Sequence, residues 1–378
     1  MPWRKVSIVS LRREFVMLAV QEGANMRELC RRYGIQPRIG YKWLARYAAA
    51  GEAGLVDRSR RPHASPDRTP AEVEAEVVRL RQQHPCWGGR KLRQRLLDLG
   101  MDVVPSASTI TAILHRHGLI DAGESAKHKA FERFERAVPN ELWQMDFKGH
   151  FATAAGRCHP LTMVDDHSRF ALAVEACRDE RAPTVQHVMT SVFRRYGLPD
   201  RILTDNGPPW GSSDPDHRWT PLSAWLLRLG VGVTHGRPYH PQTQGKDERF
   251  HRTLKLEVIA GRAWHDVVEC QSAFEAWRHV YNAERPHDAL DLATPASRYR
   301  PSYRSFPENL PPIDYGQGAI VRKVQKKGEI WFANRPWKIG NAFAGYPVAL
   351  RPTTVDGRYH VVFCHHEIAE LDLREAPP

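Results

Sequence analysis

The sequence predicts a multidomain protein with two N-terminal helix-turn-helix units, an α/β domain built on a mixed sheet, and a small C-terminal β-barrel. Three observations support this prediction. A chain of 378 residues exceeds the usual domain size of about 100–200 residues. Helical patterns interrupted by Gly and Pro fill the first third, and alternating strands and helices begin at Glu141. Beyond Tyr315 the helical pattern gives way to short strand patterns.

The composition excludes several classes of protein. Hydrophobic residues make up 42% of the chain and charged residues 26%, which is ordinary for a globular protein in water. No apolar run approaches the ~20 residues of a membrane helix, and the N-terminus lacks the apolar core of a secretory signal. Six scattered cysteines suit a reducing compartment. We therefore expect a cytoplasmic, nucleoid-associated protein without a membrane partner.

The charge distribution points to a polyanionic partner. The net charge is +12, and residues 1–140 hold 25 basic and 15 acidic side chains. A basic excess concentrated in one region favours nucleic acid, because each neutralised phosphate releases counterions. A surface charged only for solubility is the alternative.

Residues 1–56 are predicted to form the first helix-turn-helix unit. Helices are expected over Leu11–Gln21, over Met26–Tyr33 with Asn25 as N-cap, and from Pro37 to Ala50. The third helix would present four side chains suited to phosphates and base edges: Arg38, Tyr41, Lys42 and Arg46. A three-helix packing that does not bind DNA is the alternative.

A basic linker and a second unit follow. The linker, residues 57–70, adds three predicted DNA contacts: Arg58, Arg60 and Arg61. Residues 71–120 resemble another helix-turn-helix unit, with a helix over 71–83 and a reading helix from about Ser106. This unit could instead only pack on the first. Residues 121–140 are predicted to be a linker.

Residues 141–300 are predicted to form the α/β domain. Strands are expected at Leu142–Phe147, Leu161–Val164, Phe170–Ala176, Arg201–Thr204 and Val231–His235, and helices at Ala182–Tyr196, Leu222–Leu229 and Thr243–Ala260. This order predicts a mixed sheet covered by helices. Five further strands between residues 315 and 378 predict the barrel: Ala319–Val324, Glu329–Ala333, Pro336–Ile339, Tyr346–Arg351 and Tyr359–Phe363.

Three carboxylates are the candidates for chemistry in the α/β domain. Asp146 shares the polar face of its strand with Gln144, where an acidic residue is costly unless it is paired or binds a metal. Asp205 ends a strand, where α/β sheets place ligands, although Asp-Asn-Gly is also good turn chemistry. Glu248 lies opposite the apolar stripe of its helix, whereas Asp247 lies nearer that stripe and is the weaker candidate. A solvated charged face is the simpler explanation of this helix.

The segments WQMDF, LTDNGPPW and PYHPQTQGKDERFHRTLK resemble the three motifs of the DDE transposases of the retroviral-integrase superfamily. The closest similarity is to bacterial insertion-sequence transposases with helix-turn-helix arms. The resemblance covers residues 141–300, including YNAERPHDAL, and extends more loosely to the N-terminal arms. Two features depart from the family. A loop at residues 211–220 lengthens the spacing between Asp205 and Glu248, and the paired His and Cys zinc module of retroviral integrases is absent.

The resemblance implies an RNase H-like core in which Asp146, Asp205 and Glu248 are catalytic and hold two Mg²⁺ or Mn²⁺ ions. It implies that four side chains of the last motif face DNA: Gln244, Lys246, Arg252 and Lys255. It also implies hydrolysis at the 3′ ends of an element, attack of the freed 3′-OH on target DNA, and no nucleotide cofactor. The arms would bind terminal inverted repeats, and a homodimer or larger assembly would form on DNA.

Two other functions remain open from the sequence. A transcription regulator could keep the helix-turn-helix units over a decayed core, and a nuclease could cut DNA without joining it. Other candidate groups are weaker. They are Asp165-Asp166-His167, better explained as a turn; His235 and His240, too few for zinc; Cys364-His365-His366 at a strand end; and Trp331 and Trp337, expected in the barrel core.

Overall fold

The computed structural model describes residues 8–58, 69–120, 135–211, 219–235 and 245–375. The chain forms two compact units, Met1–Arg68 and Thr69–Pro378, each with its own core. Within the described ranges, every helix is too short or too polar to cross a membrane.

The first unit contains the three predicted helices: α1 (Ile8–Ala19), α2 (Met26–Arg32) and α3 (Pro37–Ala50). Asn25 caps α2, since its side chain accepts a hydrogen bond from the Glu28 N–H at 3.2 Å. Pro37 occupies the first turn of α3, where its missing N–H costs nothing. The core of this unit is small and consists of Phe15, Val16, Cys30, Trp43 and Leu55.

The second unit begins with three more helices: α4 (Ala71–Gln83), α5 (Gly89–Asp98) and α6 (Ala107–Arg116). Ser106 caps α6 by accepting from the Thr109 N–H, at the predicted start of the reading helix. Trp87, Leu92 and Ile110 are fully buried between the helices. The helical N-terminal region is therefore confirmed.

A mixed sheet follows, as predicted. Its strands are β1 (Leu142–Phe147), β2 (Phe151–Thr153), β3 (Gly156–Asp165), β4 (Ala171–Cys177), β5 (Arg201–Thr204) and β6 (Gly232–His235). The order is β2-β3-β1-β5-β6, with β4 on β3. Strand β1 is central, because it pairs antiparallel with β3 and parallel with β5.

Helices cover both faces of this sheet. These helices are α7 (Ala182–Tyr196), α8 (Pro221–Arg228), α9 (Gly245–Leu254), α10 (Val267–Ala283) and the short α11 (Pro295–Arg298). Trp143 and Met145 of β1 pack with α7 and α8 on one face, whereas α9 and α10 pack on the other. The sequence analysis missed α10, although Cys270, Phe274, Trp277 and Tyr281 form an apolar stripe at helical spacing.

The second helical region is docked on this core. Arg95 of α5 forms an ion pair with Glu284 at 2.5 Å, and Lys91 lies 3.8 Å from Asp288. Val280 of α10 also packs against the helical core of α4, α5 and α6. The basic face of α5 therefore contacts the α/β domain.

The C-terminal strands are β7 (Ile320–Lys323), β8 (Glu329–Phe332), β9 (Arg335–Lys338), β10 (Pro347–Pro352), β11 (Arg358–Phe363) and β12 (His366–Asp372). They form an antiparallel sheet of order β12-β11-β10-β7 and a separate β8-β9 hairpin. Over residues 245–375 these strands do not close into a ring, so the predicted β-barrel is not confirmed. Phe343 and Phe363 fill the core under this sheet.

Candidate active site

The sheet register places Asp146 beside Asp205. Strands β1 and β5 run parallel, with Gln144 opposite Leu203. Advancing two residues along both strands brings Asp146 level with Asp205, at the carboxyl end of the sheet where α/β folds bind ligands. The Gly207 N–H donates to Asp205 Oδ1 at 3.3 Å and orients this carboxylate.

The electrostatics of this pair are unfavourable in the absence of a cation. Burial, together with the nearby Asp205 carboxylate, raises the pKa of Asp146 to about 7. Burial also raises the pKa of Asp205. Among the described residues, no Lys or Arg forms an ion pair with either carboxylate. A salt bridge to a described Lys or Arg therefore does not account for the burial of either carboxylate.

Helix α9 carries two further carboxyl groups, those of Asp247 and Glu248. Asp247 is buried, and its pKa is raised well above the ordinary value by burial and by the neighbouring Asp146 and Asp166. Glu248 is exposed on the adjacent side of the helix. The structure thus places Asp247, which the sequence analysis ranked lower, near Asp146, whereas Glu248 is exposed on the same helix.

His251, one turn after Glu248, is a site residue that the sequence analysis did not single out. Its Nε2 lies 2.7 Å from Thr162 Oγ1, and its Nδ1 lies 4.0 Å from Asp146 Oδ2. Burial and the nearby Lys148 lower the pKa of His251 to about 4, so the ring is neutral at neutral pH. The only sequence signal was its spacing of three residues from Glu248 on one helix.

The predicted DNA contact Lys246 lies in a different environment. Its ammonium group is 2.5 Å from Asp166 Oδ1, and Asp166 also accepts from Gln144 Nε2 at 2.6 Å. This buried cluster ties the start of α9 to β1 and to the turn after β3. Since the Lys246 charge is already paired inside the protein, the structure gives this side chain an anchoring position instead of a free one.

The weaker candidates have structural explanations. Asp165 accepts hydrogen bonds from the backbone and hydroxyl of Ser168, as expected for a turn. His235 Nδ1 donates to the Asp205 carbonyl at 2.9 Å and so supports the backbone of that loop. Cys364 lies in the turn between β11 and β12. His240 lies outside the described residues.

The described residues differ in how closely their potential metal-ligand atoms approach one another. Asp146, Asp205 and Glu248 do not form a group whose ligand atoms all lie within 4.8 Å of one another. Such a group does exist in the C-terminal sheet, where it is formed by His360, Glu367 and Glu370. Arg358 contacts the Glu370 carboxylate at 3.3 Å, which weakens that group as a cation site.

The predicted DNA-contacting side chains fall into three sets. Arg38 and Tyr41 are exposed on α3, whereas Lys42 and Arg46 stack over the Trp43 ring at 4.8 and 5.0 Å. On and just after α9, the cations that continue the exposed face of Glu248 are Arg252 and Lys255. Arg58 is exposed. The predicted contacts that lie outside the described residues are Arg60, Arg61 and Gln244.

The raised pKa of Asp146 predicts a pH-dependent cost to stability. The carboxyl is neutral in both folded and unfolded protein below about pH 4, and ionisation in the folded protein is penalised as the pH rises to about 7. Asp146→Asn should therefore stabilise the metal-free protein at pH 8 by about 1–4 kcal/mol, and not at pH 4. Denaturant unfolding of the larger unit at both pH values measures this difference.

The control for this experiment is Asp102→Asn, which removes an exposed carboxylate of the same unit. It should leave the unfolding free energy within about 0.5 kcal/mol of the wild type. Equal stability of Asp146→Asn and wild type at pH 8 would show that ionisation of Asp146 carries no free-energy cost in the folded protein.

Comparison with known proteins identifies related families along most of the chain. Profiles described as "Integrase core domain" match residues 136–241 and 229–295. "Helix-turn-helix domain" matches residues 12–63, "Homeodomain-like domain" residues 39–114, and "IS481 family transposase, C-terminal domain" residues 319–377.

Individual relatives agree with these matches. The IS476 insertion-element 39.2 kDa protein of Xanthomonas euvesicatoria is 26% identical over 74% of this chain and 79% of its own length. The IS407 insertion-element 31.7 kDa protein of Burkholderia multivorans is 24% identical over 62% of this chain and 82% of its own. Among solved structures, the catalytic core domain of BIV integrase is 25% identical, covers 42% of this chain and 92% of its own, and superposes with a TM-score of 0.32.

Proposed function

Because the chain belongs to the insertion-sequence transposases of the DDE/integrase superfamily, we propose that it binds the terminal inverted repeats of its element, cleaves the 3′ ends and joins them to target DNA. The proposed catalytic groups are Asp146, Asp205 and Glu248. The observation that carries this proposal is the β1–β5 register, which sets two carboxylates side by side without a protein cation among the described residues.

The donor set fits a hard divalent cation. Mg²⁺ and Mn²⁺ prefer carboxylate oxygens and bind through a few of them together with substrate phosphates. Burial raises the pKa of both Asp146 and Asp205, so their ionised forms are penalised in the folded protein, and a bound cation would relieve this penalty. When bound, two such ions supply the charge that activates the attacking oxygen and stabilises the leaving oxygen.

The protein's own residues would hold and orient the reacting groups. Asp146 would be positioned by the central strand β1 and Asp205 by the end of β5, and Glu248 is carried by a helix anchored through Lys246 and Asp166. Arg252 and Lys255 extend from Glu248 along one exposed face, and neither pairs with another described residue. That face would bind the phosphates of the element end.

The N-terminal units would supply recognition. The exposed Arg38 and Tyr41 of α3 would read base edges. Helix α6 of the second helical region would contact the adjoining stretch of the element end. Joining two ends in concert requires at least two subunits on DNA.

A strand-transfer assay tests the whole proposal. Purified protein is mixed with labelled element ends and plasmid target in Mg²⁺, Mn²⁺ or EDTA. We expect metal-dependent label in the plasmid. Cut ends without joining would support a nuclease instead, and tight end binding without cutting would support a regulator.

Mutations should distinguish a side chain that reads base edges from one that contacts phosphates. Arg38→Ala is expected to weaken binding to element ends by roughly 10- to 100-fold and binding to unrelated DNA much less, because base-edge contacts carry the sequence preference. Arg58→Ala should weaken binding to both DNAs similarly and lower the salt dependence by about one ion. Filter binding at several salt concentrations measures both effects. An equal loss on both DNAs for Arg38→Ala would remove α3 from base reading.

A further inference from the structure

The environment of His251 determines which of its ring nitrogens is available. Thr162 Oγ1 lies 2.7 Å from His251 Nε2 and 3.1 Å from the Asp146 backbone oxygen. The hydroxyl has one hydrogen, and the carbonyl can only accept. Both contacts are satisfied when the hydroxyl donates to the carbonyl and His251 Nε2–H donates to the hydroxyl. The lone pair is then on Nδ1.

This lone pair faces the candidate cation site. Nδ1 lies 4.0 Å from Asp146 Oδ2, and the His251 side chain is 12% exposed. An imidazole lone pair and a carboxylate oxygen are both acceptors, so they cannot hydrogen-bond to each other. A cation or a hydrogen-bond donor placed between the two atoms would satisfy both. The distance between them is one that a single cation can span.

The hydrogen-bond pattern is similar to that around metal-binding histidines. Such a ring donates its second N–H to a protein oxygen, and this fixes the tautomer and the ring orientation. Here Thr162 provides that oxygen and links the ring to the backbone of Asp146 itself.

We propose that His251 is a fourth protein ligand of the active site and contributes Nδ1 to the cation held by Asp146. This inference rests on the proposed function for the identity of the site. It predicts a mixed nitrogen and oxygen donor set, which favours Mn²⁺ and Co²⁺ over Mg²⁺ more strongly than carboxylates alone would.

Two variants separate the ligand from the structural hydrogen bond. In His251→Gln the amide nitrogen can occupy the Nε2 position and keep the bond to Thr162, but the Nδ1 acceptor is lost. In His251→Asn the amide oxygen can occupy the Nδ1 position, but the bond to Thr162 is lost. Thermal unfolding of each variant confirms that it folds.

Calorimetric titration of the full-length protein with Mn²⁺ and with Mg²⁺ is the first measurement. We expect His251→Gln to lose about tenfold or more in Mn²⁺ affinity, with a smaller change for Mg²⁺, and His251→Asn to fall between this variant and the wild type. Asp146→Asn, which should lose both cations, defines the site. Wild-type Mn²⁺ affinity in a folded His251→Gln would overturn the inference.

A second measurement does not depend on the folding of a His251 variant. In protein labelled with ¹⁵N-histidine, ¹¹³Cd²⁺ bound at the site should couple through one bond to an Nδ1 resonance that is missing from His251→Gln. If that variant does not fold, loss of the coupling in Asp146→Asn assigns the resonance to this site. Absence of any Nδ1 coupling at saturating ¹¹³Cd²⁺ would refute the ligand role.

The strand-transfer assay distinguishes failure of the ligand proposal from failure of the proposed function. Joining by the wild type, with unchanged Mn²⁺ affinity in His251→Gln, keeps the proposed function and refutes the ligand. Dependence of Mn²⁺ binding on His251, with no joining under any condition, keeps the ligand and refutes the function.

Discussion

Asp146→Asn is expected to reduce DNA cleavage and joining by roughly a thousandfold or more, the scale on which a lost electrostatic contact to the transition state acts, while binding to element ends is retained. The amide has nearly the same shape as the carboxylate, so the central strand should be undisturbed. It lacks the negative charge that a divalent cation requires. The strand-transfer yield measures the first effect, and a gel-shift titration measures the second.

Helix α9 offers a matched pair of variants for the same assay. Glu248→Gln should lose activity to a similar extent. Asp247→Asn should keep it, because burial raises the pKa of the Asp247 carboxyl and so favours the neutral form, which an amide imitates. An inactive Asp247→Asn beside an active Glu248→Gln would transfer the third ligand to Asp247. Joining by Asp146→Asn would refute the ligand assignment altogether.

Gly40→Val is expected to unfold the first helix-turn-helix unit and to abolish specific end binding. A Cβ at Gly40 would lie 2.7 Å from Cys30 Sγ and 2.8 Å from the tip of the Phe15 ring, which are both buried. Overpacking of this kind costs about 1–3 kcal/mol or more, and a unit with a small core has little stability to lose. Far-UV circular dichroism and gel shift with element ends measure the two consequences.

The control for this experiment is Ala48→Val, which adds the same β-branched side chain on the exposed face of α3. It should cost less than about 1 kcal/mol and leave end binding intact. Among the described residues each unit has a core of its own, so the unfolding transition of the larger unit should be unchanged in both variants. Full end affinity in Gly40→Val would show that close packing at this position is not needed for recognition.

Much of the fold could be predicted from local sequence. Pro37 and Gly51 delimit α3, and Gly197 ends α7, because these residues act on the backbone of their own segment. Strand β1 was predicted with its observed bounds from the alternation of apolar and polar residues. The open C-terminal sheets were not predicted, since closure depends on how separate strands pair and not on any one strand's pattern.

The candidate site also has features that the sequence predicts and others that depend on the tertiary structure. The sequence by itself determined the order of helical, α/β and β regions and the resemblance to the family, and it predicted the three carboxylates as site residues, because motif spacing and hydrophobic period are properties of the chain. Only the tertiary structure decided that Asp247 lies near Asp146, that Lys246 is paired with Asp166, and that His251 faces Asp146. Those relations join α9 to strands about 80–100 residues earlier in the chain. They depend on packing and charge in three dimensions, which no local pattern records.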